Sequence, residues 1–204
     1  MREFYIHSDS PISEAVAKLD GLYGHDSFKN YNALILDRDN IIYASGISYT
    51  IYNHFTKEKK LFYSRDKGGI GSIAVHPSKN YFAVAEKGTY PNIYIYEYPS
   101  LRLYRVMRKG TEKSYSCICF SGSGDLLASV GSNPDYLLTV WEWKQEQVML
   151  KSKAFSQEVY RVHFSQFNEK WITTSGTGHI RFWRISSTFT GMKLKGDIAK
   201  FGQI

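Results

Sequence analysis

The stretch Tyr115 to Trp143 reads Tyr-Ser-Cys-Ile-Cys-Phe-Ser-Gly-Ser-Gly-Asp-Leu-Leu-Ala-Ser-Val-Gly-Ser-Asn-Pro-Asp-Tyr-Leu-Leu-Thr-Val-Trp-Glu-Trp. Three β-type runs, Ser116 to Phe120, Leu126 to Val130 and Leu137 to Trp143, are separated by two clusters of Gly, Ser, Asn, Pro and Asp, residues that accept positive φ or preset a turn. This is an antiparallel meander. One meander of this size cannot bury both of its faces, so its fold depends on whether the chain holds further copies.

Copies occur on both sides. Phe120 closes the first run 45 residues after Val75 and 44 before Phe164. The second run recurs as Phe82 to Ala85, Leu127 to Val130 and Ile172 to Ser175, and the third as Ile93 to Tyr96, Leu138 to Trp141 and Ile180 to Trp183. A weaker copy precedes them in Ala33 to Leu36, Ile42 to Gly46 and Ser48 to Tyr52. A period of roughly 40 to 45 residues with four short strands per unit predicts β-propeller blades. The expected fold is all-β, a partial or open propeller of about four blades at about 31–63, 70–107, 115–151 and 159–194.

The first thirty residues lie outside the repeat. Ser10-Pro11 followed by Ile12, Ala15, Val16 and Leu19, with Gly21 as a stop, predicts a short amphipathic helix in an N-terminal extension over residues 1–30. At the other end, Phe189 to Leu194 reads as an outer strand, and Asp197 to Ile204 breaks off where another repeat is due. Four blades leave the faces of the end blades open, so the expectation is that the chain is the first part of a longer product.

Aromatic residues make up 16% of the 204 residues and half of them are tyrosine, which suits stacked, twisted sheets. Cys117 and Cys119 are two apart on a strand, too close for an unstrained disulfide, and point to a reducing compartment. No apolar stretch reaches the roughly 20 residues needed to span a bilayer, and the N-terminus does not read as a signal peptide. Membrane insertion is not expected, and the chain is expected to be soluble and intracellular.

The formal charge of +7 permits a polyanionic partner without choosing among nucleic acid, a phospholipid surface and an acidic protein tail. Arg102, Arg105, Arg108, Lys109 and Lys113 are the candidate interaction residues, opposed in that run only by Glu112. If they converge on one rim they attract an acidic partner; otherwise they are a solvated loop. A second run, Lys57, Lys59, Lys60, Arg65 and Lys67, is offset by Glu58 and Asp66.

The motifs that could carry chemistry have structural readings. Gly69-Ile70-Gly71-Ser72-Ile73-Ala74 fits a dinucleotide fingerprint, but a strand follows where a helix is needed. Ser123 sits in a turn without the strand-to-helix context of a nucleophile elbow. The six histidines show no ligand spacing, and His163, between Val162 and Phe164, reads as a hydrogen-bonded structural residue. Asp125 and Asp135 read as backbone caps in turns. No catalytic residue, metal site or cofactor is expected, and aromatics that follow the blade period do not argue for nucleic acid.

Gly24-His25 opens the first unit, and the units close on Tyr52-Asn53, Tyr96-Glu97, Trp141-Glu142 and Trp183-Arg184. This resembles the WD-repeat family, whose units run from Gly-His to Trp-Asp. Here the aromatic is kept at Tyr52, Tyr96, Trp141 and Trp183, the aspartate never is, and Gly178-His179 falls in a hairpin turn. The family's His, Ser, Asp and Trp network is therefore expected to be incomplete, with the aromatics retained as wedges between blades.

A narrower resemblance rests on Ala74 to Pro77, Val84 to Gly88, Ile95 to Arg102, Gly110 to Lys113, Leu126 to Tyr136 and Lys153 to Val159. Together these are similar to the first propeller of the cilia- and flagella-associated protein 44 family. The string Leu127 to Asp135 carries most of it, because Asn133-Pro134-Asp135 lengthens a turn that is normally tight. The resemblance implies a non-catalytic axonemal scaffold in the cytoskeleton of the cilium or flagellum. Its implied partners are axonemal WD-repeat proteins, inner-arm dynein and doublet microtubules. The alternative is a general cytosolic WD-repeat adaptor for a multiprotein complex.

Overall fold

The computed structural model describes Gly24 and residues 31–189 and 191–200. The expected helix at Ser10 to Gly21, His25 of the Gly-His pair, and residues 201–204 lie outside the described residues. The described residues form four antiparallel sheets of four strands each, taken in sequence order. Blade 1 is β1 (Ala33–Ile35), β2 (Asn40–Ser45), β3 (Ser48–Asn53) and β4 (Lys59–Tyr63). Blade 2 is β5 (Ile70–Val75), β6 (Tyr81–Glu86), β7 (Ile93–Glu97) and β8 (Leu103–Met107). Blade 3 is β9 (Tyr115–Phe120), β10 (Leu127–Gly131), β11 (Leu137–Glu142) and β12 (Gln147–Lys153), with a 3-10 turn at Trp143–Gln145. Blade 4 is β13 (Val159–Phe164), β14 (Trp171–Gly176), β15 (His179–Thr188) and β16 (Gly191–Ile198).

The inner strand of each blade packs beside that of the next, from β1 to β5 to β9 to β13. The chain is thus an open WD-repeat propeller of four blades. Each boundary has its own apolar core. Leu36, Ile42, Tyr49 and Ile51 of blade 1 meet Phe82, Val84 and Tyr96 of blade 2. Ala83, Ile93 and Ile95 of blade 2 meet Ile118, Leu127 and Trp141 of blade 3. Cys117, Ala128, Val130 and Val140 of blade 3 meet Val162, Ile172 and Trp183 of blade 4. A middle strand such as β10 is buried along its whole length because it has a neighbouring sheet on both faces, which is why it reads as an unbroken run of small and apolar residues.

Outer strands have one unpaired edge, and they carry the cations: Lys59 and Lys60 on β4, Arg105 on β8, Lys151 and Lys153 on β12, Lys193 and Lys195 on β16. Charged side chains on an open edge oppose pairing with another sheet. Seven of the chain's 26 Lys and Arg residues are placed in this way. Among the described residues, the two end blades keep one face without a neighbouring sheet: Ile35 and Tyr63 of blade 1 are 64% and 55% exposed, and Trp171 and Phe182 of blade 4 are 42% and 45% exposed.

The outer strand of blade 4 is displaced from its expected span. Phe189 lies fully exposed at the hairpin tip, and Gly191, at φ 110°, takes the corner that an L side chain disfavours. β16 therefore begins at Gly191, and because β15 is ten residues long it continues in register to Ile198, pairing Asp197 with Phe182. Asp197 belongs to this blade and opens no new repeat.

Four antiparallel strands also fix which loops share a face. The connections between blades (64–69, 108–114 and 154–158) and the turns between second and third strands lie on one side, here the linker face. The remaining hairpin turns lie on the other. No helix among the described residues is long and apolar enough to cross a membrane.

Candidate functional site

The blade-closing aromatics occupy equivalent places. Trp141 is fully buried between blades 2 and 3 and donates its indole N–H to Ser129 Oγ at 2.8 Å. Trp183, 1% exposed between blades 3 and 4, donates to Thr174 Oγ1 at 2.9 Å. Tyr96 stacks on Phe82 at 5.3 Å and meets Tyr49 of blade 1 at 6.2 Å, and its hydroxyl accepts from Arg65 Nε at 3.0 Å. Tyr52, on the face of blade 1 that meets no other sheet among the described residues, is only half-buried. The indole-to-hydroxyl part of the WD-repeat network is therefore present in two blades, more than the closing dipeptides indicate.

Carboxylates hold the linkers. Glu86, 1% exposed at the end of β6, accepts the backbone N–H groups of Arg65 and Asp66, both at 2.7 Å. Burial nevertheless raises its pKa above the usual carboxylate value. Asp66 in turn accepts from the Asn92 backbone at 3.1 Å and from the Tyr94 hydroxyl at 2.8 Å. One blade later, Asp135 of the Asn-Pro-Asp insertion accepts the Thr111 hydroxyl at 3.0 Å and the Glu112 backbone N–H at 2.9 Å. Asp135 does cap backbone, as its turn position implies, but the backbone is that of the preceding linker. Sequence reading missed this because the partners are more than twenty residues apart.

A second buried cluster joins the opposite face. His76 Nε2 lies 3.0 Å from the Gly124 carbonyl, and its Nδ1 accepts the Ser78 backbone N–H at 3.1 Å. Trp143 donates to the same Gly124 oxygen at 2.7 Å, and its ring stands edge-on to those of His76, Tyr81 and Phe120. Burial lowers the His76 pKa. The alternation Trp141-Glu142-Trp143 was the available sequence signal, since residues two apart share a strand face. His163, in contrast, is exposed: Val162 and Phe164 take the inward face of β13, so period two sends His163 outward, where its Nδ1 lies 2.6 Å from the Phe164 carbonyl.

Cys117 and Cys119 are free thiols against β13, and burial pushes both pKa values up to about 12. The inner strands surround a central cavity of about 220 Å³ whose wall includes Leu34, Ser72, Cys119 and Arg161. Arg161 lies 4.2 Å from the centre of the Tyr31 ring, linking blade 4 to the residues that enter blade 1. Among the described residues, no group of three or more His, Cys, Asp or Glu side chains is placed to hold a metal ion.

The five basic residues of the expected interaction site are divided by β8. Arg102 precedes the strand, on the face opposite the linkers. Arg105 is half-buried over the Tyr104 ring and donates to the Lys144 carbonyl at 2.8 Å. Arg108 pairs with Glu146 at 3.5 Å. Lys109 and Lys113 are exposed on the linker face. A five-residue strand spans about 17 Å, so residues that are close in sequence are held at opposite ends of the blade.

No protein-family model matches the chain. It is 46% identical over 199 residues to cilia- and flagella-associated protein 44 of Mus musculus, an alignment that covers 98% of the chain and 11% of that relative. The protein of the same name from Chlamydomonas reinhardtii is also 46% identical, over 196 residues covering 93% of the chain and again 11% of the relative. The 77 kDa echinoderm microtubule-associated protein of Strongylocentrotus purpuratus is 26% identical over 204 residues, covering 95% of the chain and 29% of the relative. The chain thus spans about one ninth of the length of its more similar curated relatives.

Proposed function

The chain belongs to the cilia- and flagella-associated protein 44 family, and from that premise we propose that it is a non-catalytic WD-repeat scaffold of the ciliary or flagellar axoneme. In this reading it helps to hold inner-arm dynein on doublet microtubules and so supports motility, with other axonemal WD-repeat proteins as neighbours. The supporting observation is the 46% identity across 98% of the chain to a relative named for cilia and flagella. The similarity to a microtubule-associated protein points the same way. The architecture suits the role, because rigid blades present loops on two faces while the cores carry the stability. Lys109 and Lys113 are proposed contact residues on the linker face; Arg102 offers a separate contact on the other.

Co-sedimentation with purified axonemal doublets tests this. The chain is expected to pellet with doublets at low salt and to be released as salt rises, as exposed charge contacts require. No retention at low salt, with capture by a soluble complex instead, would establish the cytosolic adaptor reading.

A further inference from the structure

We propose that the linker face at the boundary of blades 2 and 3 binds an extended, glutamate-rich polypeptide segment. The inference rests on the scaffold reading and specifies where and by what chemistry one partner is held. Three segments distant in sequence are stacked there through their backbones: Lys87 N–H donates to Gly69 O at 2.9 Å, Gly88 N–H to Lys113 O at 2.8 Å, and Tyr90 N–H to Glu112 O at 2.7 Å. The approach is so close that a Cβ on Gly68 would lie 1.9 Å from the Lys87 carbonyl oxygen. Lys67, Lys87 and Lys113 are thereby assembled from two linkers and a hairpin turn. Lys151 reaches in from β12, its ammonium donating to the carbonyl of Lys109. Beside them runs an open groove of about 560 Å³, with Tyr90 and Leu137 as apolar wall, Lys109 and Lys151 as its cations, and Thr111, Glu112 and Asp135 completing the lining.

The carboxylates of this face are largely occupied. Asp66 is held by Asn92 and Tyr94, Glu86 by the Arg65 and Asp66 amides, and Asp135 by Thr111 and Glu112. Glu112 and Asp66 are the exposed acids against the cluster. Among the described residues the ion pairs are Arg108–Glu146 and Lys144–Asp125, so none involves Lys67, Lys87, Lys109, Lys113 or Lys151. Five ammonium groups, none in an ion pair, face the four carboxylates of Asp66, Glu86, Glu112 and Asp135, and the positive excess, on mobile lysine stems, attracts a linear anion. One feature favours a peptide over nucleic acid: the groove offers a single exposed ring, Tyr90, where a base-stacking platform needs a succession of them.

The test is fluorescence anisotropy of the full chain with a short labelled glutamate-rich peptide, its all-glutamine counterpart, and a single-stranded RNA of equal charge. The glutamate peptide should bind and the glutamine peptide should not. K109E/K113E and, independently, K67E/K87E should each weaken binding by about tenfold or more, while K60E on the outer edge of blade 1 leaves it unchanged. Equal thermal melts would show that the variants fold. Binding indifferent to both double variants, equal loss in K60E, or tighter binding of the RNA would each overturn the proposal. If doublets retain the chain but the peptide does not bind, this inference fails and the scaffold reading stands; if doublets never retain it, the scaffold reading fails.

Discussion

The indole N–H of Trp141 points at the Ser129 hydroxyl, 2.8 Å away, in a space from which water is excluded on all sides. The pair lies within one blade, yet the ring itself fills the boundary with the blade before. Trp183 and Thr174 repeat the arrangement one blade later at 2.9 Å.

Removing the acceptor tests how much that bond contributes. S129A leaves a buried indole N–H without a partner, which costs about 1 to 3 kcal/mol. The urea midpoint should fall, and T174V should behave alike. Adding W141F to S129A should cost less than the two single changes together, because the orphaned donor is gone. Strict additivity would show that the bond has no role.

Glu86 is the clamp between the first linker and blade 2. E86Q keeps one carbonyl acceptor but turns the other oxygen into an amide donor facing an N–H, so one of the Arg65 and Asp66 amides loses its partner at a cost of about 1 to 2 kcal/mol. Hydrogen exchange should speed up at residues 65–69 more than elsewhere. Uniform change across the chain would place the effect outside the clamp.

His76 is held neutral, with Nε2 as donor to Gly124 and Nδ1 as acceptor from Ser78. Its pKa is lowered in the fold by burial, so below the ordinary histidine value the unfolded chain binds the proton more readily. Stability should therefore be complete above about pH 6.5 and decline as pH falls through that value toward the folded pKa. In H76Q this part of the pH dependence should vanish. Stability curves of equal slope for both proteins between pH 7 and 5 would contradict the assignment.

Cys117 and Cys119 should resist alkylation in the native protein at neutral pH, since the thiolate is the reactive form and burial raises both pKa values to about 12. Mass spectrometry should find both modified promptly in urea. Prompt native labelling of the buried Cys117 would mean that the boundary between blades 3 and 4 opens readily; Cys119, on the cavity wall, is the less protected of the two.

Gly110 carries the second linker past Trp141. A Cβ there would sit 2.3 Å from the Tyr115 hydroxyl and 2.7 Å from the Trp141 ring, so G110A should cost about 1 to 3 kcal/mol and alter the near-UV signal of the tryptophans. An unchanged near-UV spectrum would show that the linker yields without disturbing the ring.

Sequence alone determined the repeat and, through it, the fold. Strand period, turn chemistry and the spacing of Tyr52, Tyr96, Trp141 and Trp183 are local properties, and local properties recur when each sheet must bury the same face. The family resemblance was legible for the same reason, in the particular insertion at Asn133 to Asp135. Tertiary structure decided where the charges go. Arg102 and Lys113 are neighbours in sequence but separate across β8, whereas Lys67, Lys87 and Lys113, scattered along the chain, share one face. Strand direction sorts loops onto two faces, and that sorting depends on how whole strands run, which no short window of sequence contains. The clamps of Glu86 and Asp135 were hidden likewise: a carboxylate in a turn announces that it will cap some backbone, and only packing chooses which.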